Sequence, residues 1–233
     1  MPQASITLDR LQQIWQREWI EVNGEYSRDK TVLWAQCGEL FVDIRIPHRR
    51  PDTAARSSLS ELSAAELAEL RGAEGFAGHV ELSESVCTWH REINWHGVPL
   101  ETDAGRLGFT NDGGLIETGV HASYAELWRP TDYAAVDAYR VQAGALQGII
   151  VTSDSHFMLG IGFPVENIHT SEDAAHHFLS EYLFGTWQGA SGIAGLSTNP
   201  FSEQQCVLTR ERDAFIWHRQ NFQGDVSNVP LQH

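Results

Sequence analysis

Residues 85–130 contain three segments, SVCTWHREINWHG (85–97), DAGRL (103–107) and GGLIETGVHASYAELWRP (113–130), that decide the fold. Their alternating apolar and polar residues predict three consecutive antiparallel β-strands. Strands seldom carry so many ionisable side chains, because burying a charge without a partner costs several kcal/mol. These groups therefore either face water or line a polar pocket inside a barrel, and the sequence leaves both arrangements open.

Strands of similar length surround this segment on both sides, with frequent turn residues between them. The pattern predicts an all-β, calycin-like antiparallel β-barrel, either single or built from two fused half-barrels. We expect one β-barrel-type domain over residues 1–233, with an internal division near 130–145 as the alternative, and an irregular tail after Asn221. The predicted strands are 13–22, 31–36, 40–47, 75–82, 85–96, 104–110, 114–119, 123–129, 136–142, 146–153, 155–163, 178–187, 192–199 and 205–219.

One short helix is predicted near residues 63–71, within LSAAELAELRG. Ser63 and Glu66 have the spacing of a capping box, and Gly72 is a typical residue just beyond a helix end. Residues 170–187 are ambiguous, and we favour a short helical turn followed by a strand from about residue 178.

The charge balance restricts the range of partners. The chain has 31 acidic and 16 basic residues, giving a formal net charge of −15. Such a surface repels phosphate backbones and anionic lipids, so we expect no nucleic-acid and no membrane partner. Three cysteines and an N-terminus without the pattern of a signal peptide favour a cytoplasmic protein with free thiols. The oligomeric state stays open.

Several short segments together resemble a small fungal family of lipocalin-like proteins whose role is undefined. They are FAGH (76–79), LIETG (115–119), YAELWRPTD (124–132), GIIV (148–151) and FMLGIG (157–162). The resemblance covers about half of the chain and implies a pair of calycin-type antiparallel barrels. It implies no function, and CTWHREINWH (87–96) departs from it by carrying more ionisable residues.

The predicted strand 85–96 has two faces, and its orientation decides the candidate site. Cys87, Trp89, Arg91, Ile93 and Trp95 share one face, and Thr88, His90, Glu92, Asn94 and His96 share the other. In one arrangement the tryptophan face is core and the histidine face is solvated. In the other, His90 and Glu92 enter the barrel mouth beside Glu117 and Tyr124.

The second arrangement suits acid–base chemistry. His90 has two accessible protonation states near neutral pH, and Glu92 or Glu117 could orient its ring. Tyr124 could donate a hydrogen bond to a developing oxyanion. The candidate catalytic residues are therefore His90, Glu92, Glu117 and Tyr124.

Eight tryptophans indicate core packing, and a subset of them could line a ligand cavity. The candidate ligand-binding residues are Trp34, Arg45, Trp128, His156 and Tyr182. The sequence predicts a barrel that binds a small apolar or aromatic molecule in its interior, with acid–base catalysis of the lyase, isomerase or hydrolase type. The alternatives are a non-catalytic carrier or sensor and a protein-interaction module.

Motifs for other chemistries are absent from the sequence. It contains 11 histidines, but neither an H-E-x-x-H nor a C-x-x-C motif, so no metal is predicted. The glycines near Ser191 do not form a nucleophile elbow, and no G-x-G-x-x-G follows a strand, so no cofactor is predicted.

Overall fold

The computed structural model describes residues 5–131, 134–165, 173–212 and 214–233, and these form two antiparallel β-barrels. The all-β prediction is confirmed, with nine strands in the first barrel and eight in the second. The chain runs through both barrels as a meander, so almost every strand pairs with its neighbours in sequence. Consecutive antiparallel strands need only short turns, which the many Gly and Asn positions of this chain supply.

Barrel 1 is closed by extensive pairing between its first and last long strands. β1 pairs with β3 at one end, with the short β2 at the other, and with β9 over most of its length. Its strands are β1 Gln13–Val22, β2 Glu25–Ser27, β3 Lys30–Cys37, β4 Leu40–Pro47, β5 Glu74–Ser83, β6 Val86–Asn94, β7 Asp103–Phe109, β8 Leu115–Gly119 and β9 Tyr124–Pro130.

Barrel 2 is closed by one bridge, in which Gln142 of the first strand and Gln232 exchange two backbone hydrogen bonds of 2.8 and 3.1 Å. Its strands are β10 Asp137–Ala143, β11 Leu146–Thr152, β12 His156–Gly162, β13 Glu181–Gln188, β14 Ser191–Ser197, β15 Cys206–Glu211, β16 Ala214–Gln220 and β17 Val226–Leu231. The irregular tail predicted after Asn221 is wrong, because β17 pairs with β16 over six residues.

The helices are short: α1 Leu8–Leu11, α2 Ala64–Leu70 and α3 Ala174–His177. The predicted capping box is confirmed on α2, where Ser63 Oγ accepts from Glu66 N–H and Glu66 accepts from Ser63 N–H. The predicted helical turn before residue 178 is present as α3, while residues 170–172 lie outside the described residues. No helix in the described part of the chain is long and apolar enough to span a membrane.

An apolar layer joins the two barrels. Val42, Ile44 and Ile46 of β4 point away from the interior of barrel 1 and are buried against barrel 2. Ile149 and Val151 of β11 belong to the same cluster. β4 is therefore buried on both of its faces, one against barrel 2 and the other, which carries the paired Asp43 and Arg45, inside barrel 1.

Candidate functional site

Four tryptophans fill the centre of barrel 1. The ring of Trp34 lies 6.3 Å from that of Trp15, 5.6 Å from Trp89 and 5.8 Å from Trp128, measured between centroids. At one end of the barrel, Leu11 of α1 packs against this cluster, and Trp15 Nε1 donates to the Leu11 carbonyl at 3.0 Å. α1 thus closes this end, and the other end stays open.

Paired charges extend from the tryptophans towards the open end. Three arginines each contact a carboxylate: Arg17 with Glu126 at 2.5 Å, Arg45 with Asp43 at 2.8 Å, and Arg91 with Asp103 at 2.5 Å. The side chains of Arg17 and Glu126 are only 6% and 4% exposed, so water contributes little to their solvation. Buried charges require such partners, because an unpaired one is strongly destabilising.

Glu117 is a fourth carboxyl in this cluster. Its Oε1 accepts from the Tyr124 hydroxyl at 2.7 Å, and its Oε2 accepts from Trp128 Nε1 at 3.1 Å. Burial, helped by the neighbouring charge of Glu126, raises the pKa of Glu117 to about 8. Near neutral pH the carboxyl is therefore largely protonated, which leaves three arginines facing the three remaining carboxylates.

The space between the tryptophans and these charged groups is very small. A cavity of about 10 Å³ is bordered by Trp34, Arg45, Glu117 and Trp128, among others. This is close to the minimum for one water molecule and far below the volume of an organic ligand. The interior site predicted around Trp34, Arg45 and Trp128 is thus a packed core, and a ligand there would have to displace side chains.

A larger pocket opens directly above this core, at the mouth of barrel 1. Its volume is about 490 Å³, within the usual range of small-molecule sites. Arg91, Asp103 and Tyr124 line it and also contact the buried polar cluster. Its walls come from the β6–β7 and β8–β9 connections and include Val98, Pro99, Leu100, Ala122 and the rings of His96 and His121.

Exposed apolar side chains surround this mouth. Val22 and Tyr26 lie where β1 and β2 meet, Val98 and Leu100 lie in the β6–β7 connection, and Val120 follows β8. All five belong to the open end of the barrel, opposite α1. Exposed apolar groups that gather around a concave polar-floored pocket are typical of a binding surface.

His90 and Glu92 lie outside the barrel, so their predicted grouping with Glu117 and Tyr124 is wrong. Trp89 and Arg91 point inward, whereas His90 lies beside Glu81 on the outer face, at 3.4 Å, and Glu92 contacts Arg140 of barrel 2. The register between β5 and β6 also shifts at Glu92, which forms a bulge. As a result Asn94 turns into the mouth pocket and Ile93 into the layer between the barrels.

The other predicted ligand residues lie apart from the mouth. The His156 ring stacks on Phe184 of barrel 2 at 5.4 Å. Tyr182 is fully buried between the barrels, with its ring 6.2 Å from that of Trp95. The structure thus brings together Glu117, Tyr124, Trp34, Arg45 and Trp128, but neither His156 nor Tyr182.

Five members of the buried cluster were not among the candidate site residues, although the sequence contains a signal for them. Four of the five lie two positions from an inward-facing residue, as Arg17 follows Trp15 and Arg91 follows Trp89, and alternate residues share a face of a strand. The same spacing links Glu126 to Trp128 and Asp43 to Arg45, while Asp103, the fifth, begins β7. A charged residue two positions from a buried tryptophan in the same strand therefore indicates a charge inside the barrel.

Comparisons with known proteins support the fold alone. No family model matches the chain, and no curated protein matches it. Among solved structures, that of the uncharacterized protein YLR301w from Saccharomyces cerevisiae is similar, with a TM-score of 0.60 and 12% sequence identity over 94% of this chain and 96% of the other. At this identity the likeness shows a shared barrel architecture, and membership of the fungal family stays a prediction.

Proposed function

We propose that the protein binds a small, neutral, partly aromatic molecule in the mouth pocket of barrel 1. The observation that carries this proposal is the pocket of about 490 Å³, which has a polar floor and an apolar rim. Because the four tryptophans fill the interior below, the ligand sits above them instead of within the barrel. The class of ligand is the one predicted from the sequence. The binding position differs from that prediction, because it lies at the mouth of the barrel and not in its interior.

The polar floor favours a neutral ligand over an anion. Arg91 is already paired with Asp103, so little positive charge is left to attract a carboxylate. The net charge of −15 repels anions further. A phenolic hydroxyl can donate to Asp103 and accept from Arg91, while its ring packs on Val98 and Leu100. Phenols should therefore bind more tightly than aromatic acids of the same size.

A ligand screen tests this proposal. We would measure thermal shift and saturation-transfer NMR on the full chain with matched phenols and benzoic acids. Leu100→Ser should weaken phenol binding, because Leu100 is fully exposed on the rim and loses only ligand contact. Val226→Ser, an exposed apolar residue of barrel 2, is the matched control and should leave binding unchanged. Equal effects of both variants, or no binding by any phenol, would reject the pocket.

The contact between Tyr124 and Glu117 supports a second candidate function, acid–base catalysis on the bound molecule. Tyr124 lines the pocket, and its hydroxyl donates to Glu117 at 2.7 Å. When this hydroxyl turns to give its proton to a ligand atom, protonated Glu117 replaces that proton, so the ligand gains one proton and Glu117 becomes a carboxylate. A protonated carboxyl near neutral pH is a competent acid for such a transfer. His90 and Glu92 take no part in this proposal.

Variants separate an enzyme from a carrier. Glu117→Gln keeps the size of the side chain and removes its titrating proton. If the protein is an enzyme, this variant should retain ligand binding and lose turnover of the molecule found by the screen. If it is a carrier or sensor, wild type will show no turnover, and Tyr124→Phe will alter affinity alone.

A further inference from the structure

The outer surface of barrel 1 carries two histidines and a glutamate that converge. His79 of β5 and His90 of β6 are direct cross-strand partners, and their rings stack with centroids 4.7 Å apart and planes 16° apart. Glu81 lies two positions after His79, so it projects from the same face of β5. The three side chains come from a rigid hairpin and not from a loop.

The distances among these side chains fit a single metal ion. One potential ligand atom from each residue lies within 4.8 Å of the other two. His90 Nε2 and Glu81 Oε2 are 3.4 Å apart. Two atoms bound to one tetrahedral zinc ion at normal bond lengths are also about 3.4 Å apart. Moreover, His90 Nε2 is shielded from solvent and makes no hydrogen bond to any described residue.

A second carboxylate orients the other histidine. His79 Nδ1 lies 2.8 Å from Glu92 Oε1, which leaves Nε2 of this ring for an ion. Arg140 of barrel 2 holds both oxygens of Glu92, one of them at 2.8 Å. Metal-binding histidines commonly bond their second nitrogen to a carboxylate, because this fixes the tautomer and the ring orientation.

The surroundings favour a cation. His79 and Glu81 border an open groove of about 960 Å³, so an ion can reach them from solvent. Asp9, Glu39 and Glu84 line the same groove and add negative potential. Three protein ligands leave the fourth tetrahedral position for water, as in zinc sites that are not purely structural.

We propose that His79, Glu81 and His90 bind one zinc ion, with Glu92 and Arg140 as the outer support of His79. The spacing of histidines along the sequence predicted no metal, because the ligands come together only through the register of β5 and β6. Two imidazoles and one carboxylate suit Zn²⁺ better than Mg²⁺ or Ca²⁺, which prefer oxygen ligands. This site is on the outer face of the barrel and is independent of the proposed mouth pocket.

Calorimetry with zinc chloride on the chelator-treated full chain tests the proposal. We expect one ion per chain, and excess Mg²⁺ or Ca²⁺ should not compete. The visible absorption of Co²⁺ in place of Zn²⁺ should report four-coordinate geometry. Glu81→Gln should weaken binding without affecting folding, since the Glu81 side chain is 73% exposed. Glu92→Gln should weaken it by about 10–100-fold, the usual effect of losing such a support.

Matched histidine variants give the decisive comparison. His79→Ala and His90→Ala should each abolish the one-to-one binding, while their circular dichroism stays that of wild type. His48→Ala is the control, because His48 is an exposed histidine near β4 whose ring contacts the Thr31 hydroxyl, and its backbone bond to the Asp29 carbonyl survives the substitution. Absence of zinc binding to wild type would overturn the proposal. So would binding that survives His90→Ala and Glu81→Gln, or that is lost in His48→Ala.

Discussion

Barrel 1 and barrel 2 are both antiparallel meanders, of nine and eight strands, around very different interiors. In barrel 2 the central side chains are mainly aliphatic and aromatic, such as Ile150, Leu159 and Trp217. In barrel 1 the strands enclose four tryptophans together with three arginines and four carboxyls. Barrel 2 holds the same fold around a mainly apolar filling, in which Glu181, bonded to Ser197 Oγ, is a buried carboxyl. The larger set of interior charges in barrel 1 therefore exceeds what this fold requires.

The difference also extends to the barrel ends. α1 closes one end of barrel 1, while the other opens into the mouth pocket beside Arg91 and Tyr124. Buried ion pairs are often neutral or unfavourable compared with apolar residues of the same volume. The position of these pairs in barrel 1, directly beneath the open pocket, agrees with the binding role proposed for that pocket. The following predictions test this contrast, beginning with the largest expected effect.

Removing one partner of a buried pair should destabilise barrel 1 most. Arg17→Met leaves Glu126 buried without its cation, and the free energy of unfolding should fall by about 3–5 kcal/mol. The double variant Arg17→Met/Glu126→Leu should recover most of this loss, because no unpaired charge remains. Urea titration measures both. If the free energy of unfolding of Arg17→Met lies within about 1 kcal/mol of wild type, water must solvate these charges. The interior of barrel 1 would then not differ from that of barrel 2 by holding desolvated charges.

Shortening a core side chain of barrel 2 should lower the free energy of unfolding by slightly less, and this loss should not depend on pH. Leu159 is fully buried, so Leu159→Ala should lower the free energy of unfolding by about 3 kcal/mol through lost contacts and a cavity. The same loss is expected at pH 6.5 and at pH 9, since the cavity left by the removed isopropyl group carries no titrating group. Urea titration at the two pH values checks this, and a clear pH dependence would argue against an apolar core.

Glu117 should give barrel 1 a pH dependence of its own. Its pKa is raised from 4.5 to about 8, so the folded chain holds this proton over a range in which the unfolded chain has lost it. The stability from this group is complete below about pH 4.5 and is lost as pH rises through about 8. Between pH 6.5 and 9, wild type should lose on the order of 1–2 kcal/mol that Glu117→Gln does not lose.

Other buried groups also titrate, so the comparison must be between wild type and Glu117→Gln, which share them. Burial likewise raises the pKa of Asp43 and of Glu181. Burial lowers the pKa of His177 to about 3, so its stabilising effect is lost only as pH falls from about 6.5 towards 3. Thermal unfolding of wild type and Glu117→Gln at matched pH values isolates the carboxyl. Parallel curves for the two proteins above pH 6.5 would show that Glu117 is already ionised in the fold.

The smallest effect is expected for an exposed ion pair. Arg28 and Glu18 are 3.4 Å apart, with side chains 67% and 38% exposed. Arg28→Ala should change the free energy of unfolding by no more than about 0.5 kcal/mol. This variant provides the baseline for Arg17→Met in the same urea experiment. A loss comparable to that of Arg17→Met would mean that burial does not distinguish the two pairs.

The sequence predicted most strands, but it missed β2 and β17 and joined β15 and β16 into the single segment 205–219. β1 and the β3–β4 hairpin follow from alternating apolar residues and a tight turn, and α2 follows from its capping box. β17 has the sequence VSNVPL, which is polar and contains a proline, so local pattern alone does not predict a strand. It forms because β16 offers an unpaired edge, and that edge is a property of the assembled sheet.

The candidate site was predictable only in part, because side-chain direction depends on long-range register. Glu117, Tyr124 and Trp128 obey simple alternation along β8 and β9 and lie together as predicted. The bulge at Glu92 reverses the alternation within β6, and no residue in that segment signals it. The pairing of His79 with His90 likewise depends on how β5 and β6 align, so residues eleven positions apart gave no recognisable metal motif.

The apolar layer between the barrels has a consequence for biosynthesis. All strands of barrel 1 are translated before β10, so this barrel can close on the ribosome while Val42, Ile44 and Ile46 have nothing to cover them. Ile149 and Val151 are translated only about 20 residues after β9 ends, a delay on the order of 1–4 s at ordinary translation rates. During that interval the outer face of β4 is an exposed apolar surface on the nascent chain. We expect a chaperone that recognises apolar surfaces to bind to this face.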